Sequence, residues 1–144
     1  MQEAAQRADD ILDRTFGAIK PSVQWMHFET TSDKCTVTRR RSVLTVITPE
    51  RNGDFLGLVD RHWKGQGFEF VAASRDSLSA FYETSDGFSL HVIIGGRNQA
   101  HFEITTPCVK ESKVSPSTSK PSGPEYTGQE IPPPSERSEF WSGS

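Results

Sequence analysis

Apolar residues recur at three- and four-residue steps from position 3 to 19, through Ala4, Ala8, Ile11, Leu12, Phe16 and Ile19. That spacing predicts an amphipathic helix with one buried stripe. Glu3, Asp9, Asp10 and Asp13 lie toward its start and Lys20 at its end, a distribution that suits the helix dipole. Pro21 then blocks continuation. Residues 22–30 read as a strand carrying Val23, Trp25, Met26 and Phe28, and Thr31-Ser32-Asp33-Lys34 as the turn after it. A long strand is expected from about Cys35 to Ile47. Val37, Val43, Thr45 and Ile47 share one parity with Cys35, while Leu44 and Val46 take the other, so its second half reads as buried on both faces.

Thr48-Pro49-Glu50 has the form of a helix start: a capping Thr, a proline at the first helical position, then an acid. Phe55, Leu58, Val59, His62 and Trp63 make a narrow apolar stripe, and Gly65 and Gly67 end the helix. A meander follows, with strands over 68–73, 78–84, 88–94 and 99–106. Phe88, Leu90, Val92 and Ile94 face one side, as do Ala100, Phe102 and Ile104. Opposed residues must share a face. A three-residue loop, Gly96-Arg97-Asn98, therefore pairs Val92 with Phe102 and Leu90 with Ile104, with Asn98 in the left-handed position. The predicted fold is α+β, in the order α-β-β-α-β-β-β-β. It has an antiparallel sheet of about six strands and two helices on one face.

The pattern stops near Cys108. Residues 109–144 hold six prolines and nine serines with no periodicity. Such a segment buries too little apolar surface to offset its ordering entropy. The expected organisation is one α+β domain over 1–109 and a disordered Pro/Ser-rich tail over 110–144. Phe140 and Trp141 sit in that tail as either an idle chain end or a short partner-binding motif.

Only 33% of the 144 residues are hydrophobic, which agrees with a partly unfolded chain. The net charge of -3 gives no general attraction to nucleic acid or anionic membrane. No run approaches the roughly 18 apolar residues of a membrane helix. The polar start, Met1-Gln2-Glu3-Ala4-Ala5, is not a signal peptide, although the chain fits a mature form from which an export signal was removed.

Cys35 opens the long strand and Cys108 follows the last one, so a disulfide between them clamps the sheet; two free buried thiols are the alternative. Closing a loop of that length stabilises by on the order of 4 kcal/mol and implies an oxidising, extracytoplasmic location. Neither cysteine is marked as an activated nucleophile.

Arg39-Arg40-Arg41 is the most unusual local run. Alternation puts Arg40 on one strand face and Arg39 and Arg41 on the other, as a two-pronged site for an anion or acidic protein. The plainer reading is a solvated strand with long stems over apolar neighbours. In the register above His91 lies opposite Glu103, with His101 nearby on the same polar face. That is either an acid-base or metal cluster or simply the solvated side of the sheet. His62 reads as a core-edge histidine, and Trp25 and Trp63 as core. No Gly-rich phosphate loop, nucleophile elbow or helical His-Glu-x-x-His is present, so no cofactor or metal is expected.

The stretch from Ala8 to Val109 resembles small lipoproteins predicted in actinomycete bacteria, mostly of unknown function. The residues that carry it are Ala8-Asp9-Asp10-Ile11-Leu12 with Ile19-Lys20-Pro21, Cys35-Thr36-Val37-Thr38-Arg39-Arg40-Arg41, Arg61-His62-Trp63-Lys64 and Thr106-Pro107-Cys108. The resemblance implies export and a lipid-anchored precursor, and carries no catalytic residues across. Two functions follow as expectations. The first is a non-catalytic extracytoplasmic binding protein whose partner is a cell-surface or secreted protein, an immunity-type protein that blocks a toxin being one form. The second is a small hydrolase or metal-dependent enzyme using the His91, His101 and Glu103 face.

Overall fold

The computed structural model describes residues 1–122 and 131–143. Helix α1 (Gln2–Ala18) leads into strands β1 (Trp25–Ser32) and β2 (Val37–Val43). A single 3-10 turn (Pro49–Arg51) opens helix α2 (Asn52–Gly65). Strands β3 (Glu69–Ser74), β4 (Ser79–Glu83), β5 (Ser89–Gly95) and β6 (Gln99–Thr105) complete one six-stranded sheet, in the order β1-β2-β6-β5-β4-β3. Every pairing is antiparallel, and the α+β order is the expected one.

The β5–β6 register is the one that face-sharing requires: Val92 opposite Phe102, Leu90 opposite Ile104 and His91 opposite Glu103. Asn98 does take a left-handed backbone, φ 58°, and so does Arg97, φ 66°. Two consecutive positive-φ residues turn the chain back between the last two strands.

The inward residues of both helices join one apolar cluster. Ala8, Leu12 and Phe16 of α1 meet Phe55, Val59 and Trp63 of α2 together with Leu90, Val92, Phe102 and Ile104 of the sheet. Trp63 stands edge-on to Tyr82 and to Phe102 and donates its indole N–H to the Thr15 hydroxyl, 2.9 Å. A buried tryptophan thus keeps its one polar atom satisfied.

Cys35 and Cys108 are bonded, with Cα atoms 4.6 Å apart. Beside the bond, Val109 N donates to Cys35 O and Thr106 N to Val37 O, so the start of β2 is tied to the chain leaving β6.

Strand β2 ends four residues earlier than the pattern predicts. From Leu44 to Thr48 the backbone leaves the ladder and finds other partners: Leu44 N donates to Gln24 O, Val46 N to Glu136 O and Ile47 N to Asn98 O. Glu136 belongs to the tail. Leu44 and Ile47 are fully buried, as double-sided burial requires, but one covering surface comes from residues far along the chain. Thr48 does not cap the helix either; its hydroxyl donates to Trp141 O, 3.3 Å.

The described parts of the tail contain no helix and no named strand, which agrees with their composition. They nevertheless lie against the domain. Residues 112–122 run past α1 and β1: Ser115 N donates to Gln2, Ser119 Oγ to Asp13 and Ser122 Oγ to Val23 O. Residues 131–143 return along the Leu44–Thr48 segment and end with Trp141, 1% exposed, inside the core cluster. The boundary expected at 109 is therefore not a packing boundary. For 123–130 and position 144 the expectation of disorder lies outside the described residues.

Candidate functional site

The three arginines separate as alternation requires, but the face that Arg39 and Arg41 share is the covered one. Arg39 is 2% exposed and Arg41 1%. Arg39 Nε approaches Asp9 of α1 at 3.3 Å, its Nη1 donates to Thr30 Oγ1 at 3.0 Å and its Nη2 to Ser115 O at 2.9 Å. Arg41 Nη2 donates to Asp13 at 2.6 Å, and its guanidinium lies 3.9 Å from the Trp25 ring centre. The two-pronged patch is thus replaced by a charge network between α1 and β2 in which both guanidiniums and Asp9 are buried and Asp13 reaches the surface. The reason is sequence spacing: Asp9 and Asp13 stand one helical turn apart, so both carboxylates reach the same strand. Burial pushes the Asp9 carboxyl up, against the opposing pull of Arg39 and Arg41. Next to this network a groove of about 450 Å³ is lined by His27, Phe28, Thr30, Arg39 and tail residues Val114 and Ser117. Its strongest polar groups are already engaged, since Arg39 is paired and His27 Nε2 meets Ser119 O at 2.6 Å.

Arg40 lies on the other face, with Nε 3.5 Å from Glu103 and Nη1 2.8 Å from Thr31 Oγ1. Here the β5–β6 register puts His91 opposite Glu103 with His101 on the same face, and two further residues join them. His91 stacks flat on Phe81, with ring centres 4.1 Å apart and planes 4° apart, and Phe81 is 43% exposed. His101 Nδ1 meets the Ser42 hydroxyl at 3.0 Å. Phe81 was legible in principle, because counting outward from the Ser85-Asp86-Gly87 loop puts it opposite His91. Ser42 was not, because β2 reaches β6 across a separation that no local turn fixes.

The Ser42–His101 pair has the atom types of a nucleophile and its base. Ser42 is 1% exposed, however, and a nucleophile must meet its substrate. The adjacent cleft, lined by Phe28, Arg40, Ile93 and Ile131 among others, holds only about 180 Å³. That is below the usual size of a small-molecule site. Among the described residues no group of three His, Cys, Asp or Glu side chains is placed to hold a metal ion.

Burial pulls both His91 and His101 below 6.5, with Glu103 pulling the other way. Burial also lowers His62. A histidine whose folded pKa lies below its unfolded value takes up its proton more readily in the unfolded chain. Its stabilising effect is then complete above about pH 6.5 and is lost as pH falls through the folded values. The melting temperature is expected to be lower at pH 5.5 than at pH 7.5, with a shallower dependence in His91→Gln/His101→Gln. Asp9 acts with the opposite sign in both proteins, so the difference in slope isolates the two imidazoles. Equal slopes in thermal melts contradict the assignment.

The chain matches no protein-family model, no curated protein and no solved structure. Among the described residues no helix is long and apolar enough to cross a membrane.

Proposed function

We propose that this chain is a non-catalytic binding protein that acts outside the cytoplasm and recognises another protein through the sheet face bearing Phe81 and His91. The observation that carries the reading is the stacked pair itself. An exposed phenylalanine held flat on an imidazole, with the Arg40–Glu103 pair on the same face, is a rigid aromatic anchor beside charged groups. Aromatic and arginine side chains are enriched where proteins bind one another. A pre-stacked ring loses little side-chain freedom on binding.

The disulfide supports an oxidising compartment. The resemblance to actinomycete lipoproteins adds an exported, lipid-anchored precursor, with a cell-surface or secreted protein as partner. An immunity-type protein that blocks a toxin is one concrete form of this role. The alternative is a small hydrolase or metal-dependent enzyme using the face that carries His91, His101 and Glu103.

The deciding experiment is capture from native cell envelope and medium with wild type and Phe81→Ser, followed by identification of what is retained. A specific protein that wild type captures and Phe81→Ser loses supports the binding reading. Turnover or bound metal that depends on His91, with no captured partner, replaces it with the enzyme.

A further inference from the structure

Residues 131–143 contact the domain as a bound peptide contacts a receptor. Leu44 O accepts from Ser135 N and Glu136 N at 3.0 Å, and Val46 N donates to Glu136 O at 2.8 Å. Thr45 and Glu136 form a parallel bridge. Further on, Thr48 N donates to Trp141 O at 3.0 Å, and Ser142 Oγ to Val46 O at 2.7 Å. The segment ends in one deep side chain. The Trp141 indole N–H donates to Pro21 O at 2.6 Å, and its ring stands edge-on to Phe55 with centres 5.3 Å apart. Main-chain bonds to an extended segment, here Leu44–Thr48 beyond the end of β2, combined with one aromatic pocket, are how domains capture extended peptides.

The receiving surface is built entirely outside the segment, from Pro21, Leu44–Thr48, Phe55 and Gln99, whose Nε2 donates to Pro132 O at 3.0 Å. None of these bonds requires groove and peptide to belong to one chain.

We propose that residues 131–143 are a tethered ligand of this groove, and that the groove also accepts the same segment from a second copy, so that the protein self-associates by exchanging C-terminal segments. The second copy is the occupant because its segment reproduces every bond described above. Exchange of an identical element conserves the contacts and changes only which chain supplies them. What favours the internal arrangement is the covalent tether, which sets an effective concentration on the order of 1 mM. Exchange therefore grows as the protein approaches that range, or as the internal segment is weakened.

The test uses the full chain and a labelled synthetic peptide of residues 131–143. The variant Trp141→Ala, with its own segment weakened, is expected to bind the peptide at least tenfold more tightly than wild type and to melt at higher temperature in its presence. A peptide in which that tryptophan is alanine is expected not to bind. In light scattering, wild type near 1 mM is expected to contain dimer that the peptide dissociates. Absence of peptide binding to a folded Trp141→Ala chain overturns the groove as a peptide site. Peptide binding with no dimer at any concentration overturns the second copy as occupant. Where Trp141→Ala does not fold, Trp141→Phe keeps part of the plug and is read the same way.

Discussion

Trp141→Ala is expected to destabilise the protein by about 3–5 kcal/mol, the range for removing a large aromatic from a packed core. For a chain of this size that lowers the melting temperature by roughly 10–20 °C. The substitution empties the space against Phe55 and leaves Pro21 O without its indole donor. It also removes the anchor of a segment that supplies main-chain partners to Leu44 and Val46. Leu44 is fully buried, so its carbonyl left without a donor adds its own cost to that of the void. The neighbouring aromatic is the control. Phe140 is 36% exposed and serves as a surface for the Arg51 guanidinium, 4.0 Å from the ring centre. Phe140→Ala is expected to cost less than about 1 kcal/mol, the scale of an exposed cation–π contact. Thermal melts of the two variants decide the matter. If they are equal and both small, the tail is an idle chain end and Trp141 does not belong to the core.

Arg39→Ala is the second large effect, with an expected loss of about 3–5 kcal/mol. The reason is what the substitution leaves behind. Asp9 is as buried as Arg39 and depends on it as its nearest counter-charge. Thr30 and Ser115 O lose their donors at the same time. The pair itself is a weak source of stability, because taking both charges out of water costs about as much as their attraction returns. The Asp9 carboxyl, held above its ordinary value by burial, carries the sign of that cost. The double variant Asp9→Leu/Arg39→Met is therefore expected to be more stable than either single variant and near wild type. Urea denaturation of wild type, Asp9→Leu, Arg39→Met and the double variant gives the coupling directly. A double variant no better than Arg39→Met would show that the network stabilises through hydrogen bonds to Thr30 and the tail rather than through compensation of charge. Both arginines were candidate partner-binding groups in the sequence. Their loss of function in a binding assay would report unfolding, so Phe81 and not Arg39 is the residue to change when recognition is tested.

The meander was legible from β4 onward because each of its turns is local. Face-sharing of Val92 with Phe102 and Leu90 with Ile104 leaves one register open, and the three-residue loops at 85–87 and 96–98 carry it to His91, Glu103 and Phe81. The helices were legible from periodicity, and the Cys35–Cys108 bond from the way the two residues bracket the sheet. What the sequence determined by itself is this local grammar: which residues share a face, where the chain reverses, and which stripe of each helix turns inward.

Tertiary structure alone decided which of two faces is covered. Alternation places Arg39 and Arg41 together in the sequence, but only the docking of α1, with Asp9 and Asp13 one turn apart, makes their face the buried one. The end of β2 illustrates the same limit. Double-sided burial of Leu44–Ile47 was readable, yet the element covering it stands about 90 residues away, as in Val46 with Glu136. Trp141 shows why. Periodicity detects repeated small contributions, and a plug is a single large one. One tryptophan in a Pro/Ser-rich segment leaves no pattern, although its burial outweighs many weak contacts. Composition measures how much apolar surface a segment can offer on average. Whether one ring finds a fitting site in the folded domain is decided by the shape of that site, which exists only after Pro21, Phe55 and the Leu44–Thr48 segment have come together.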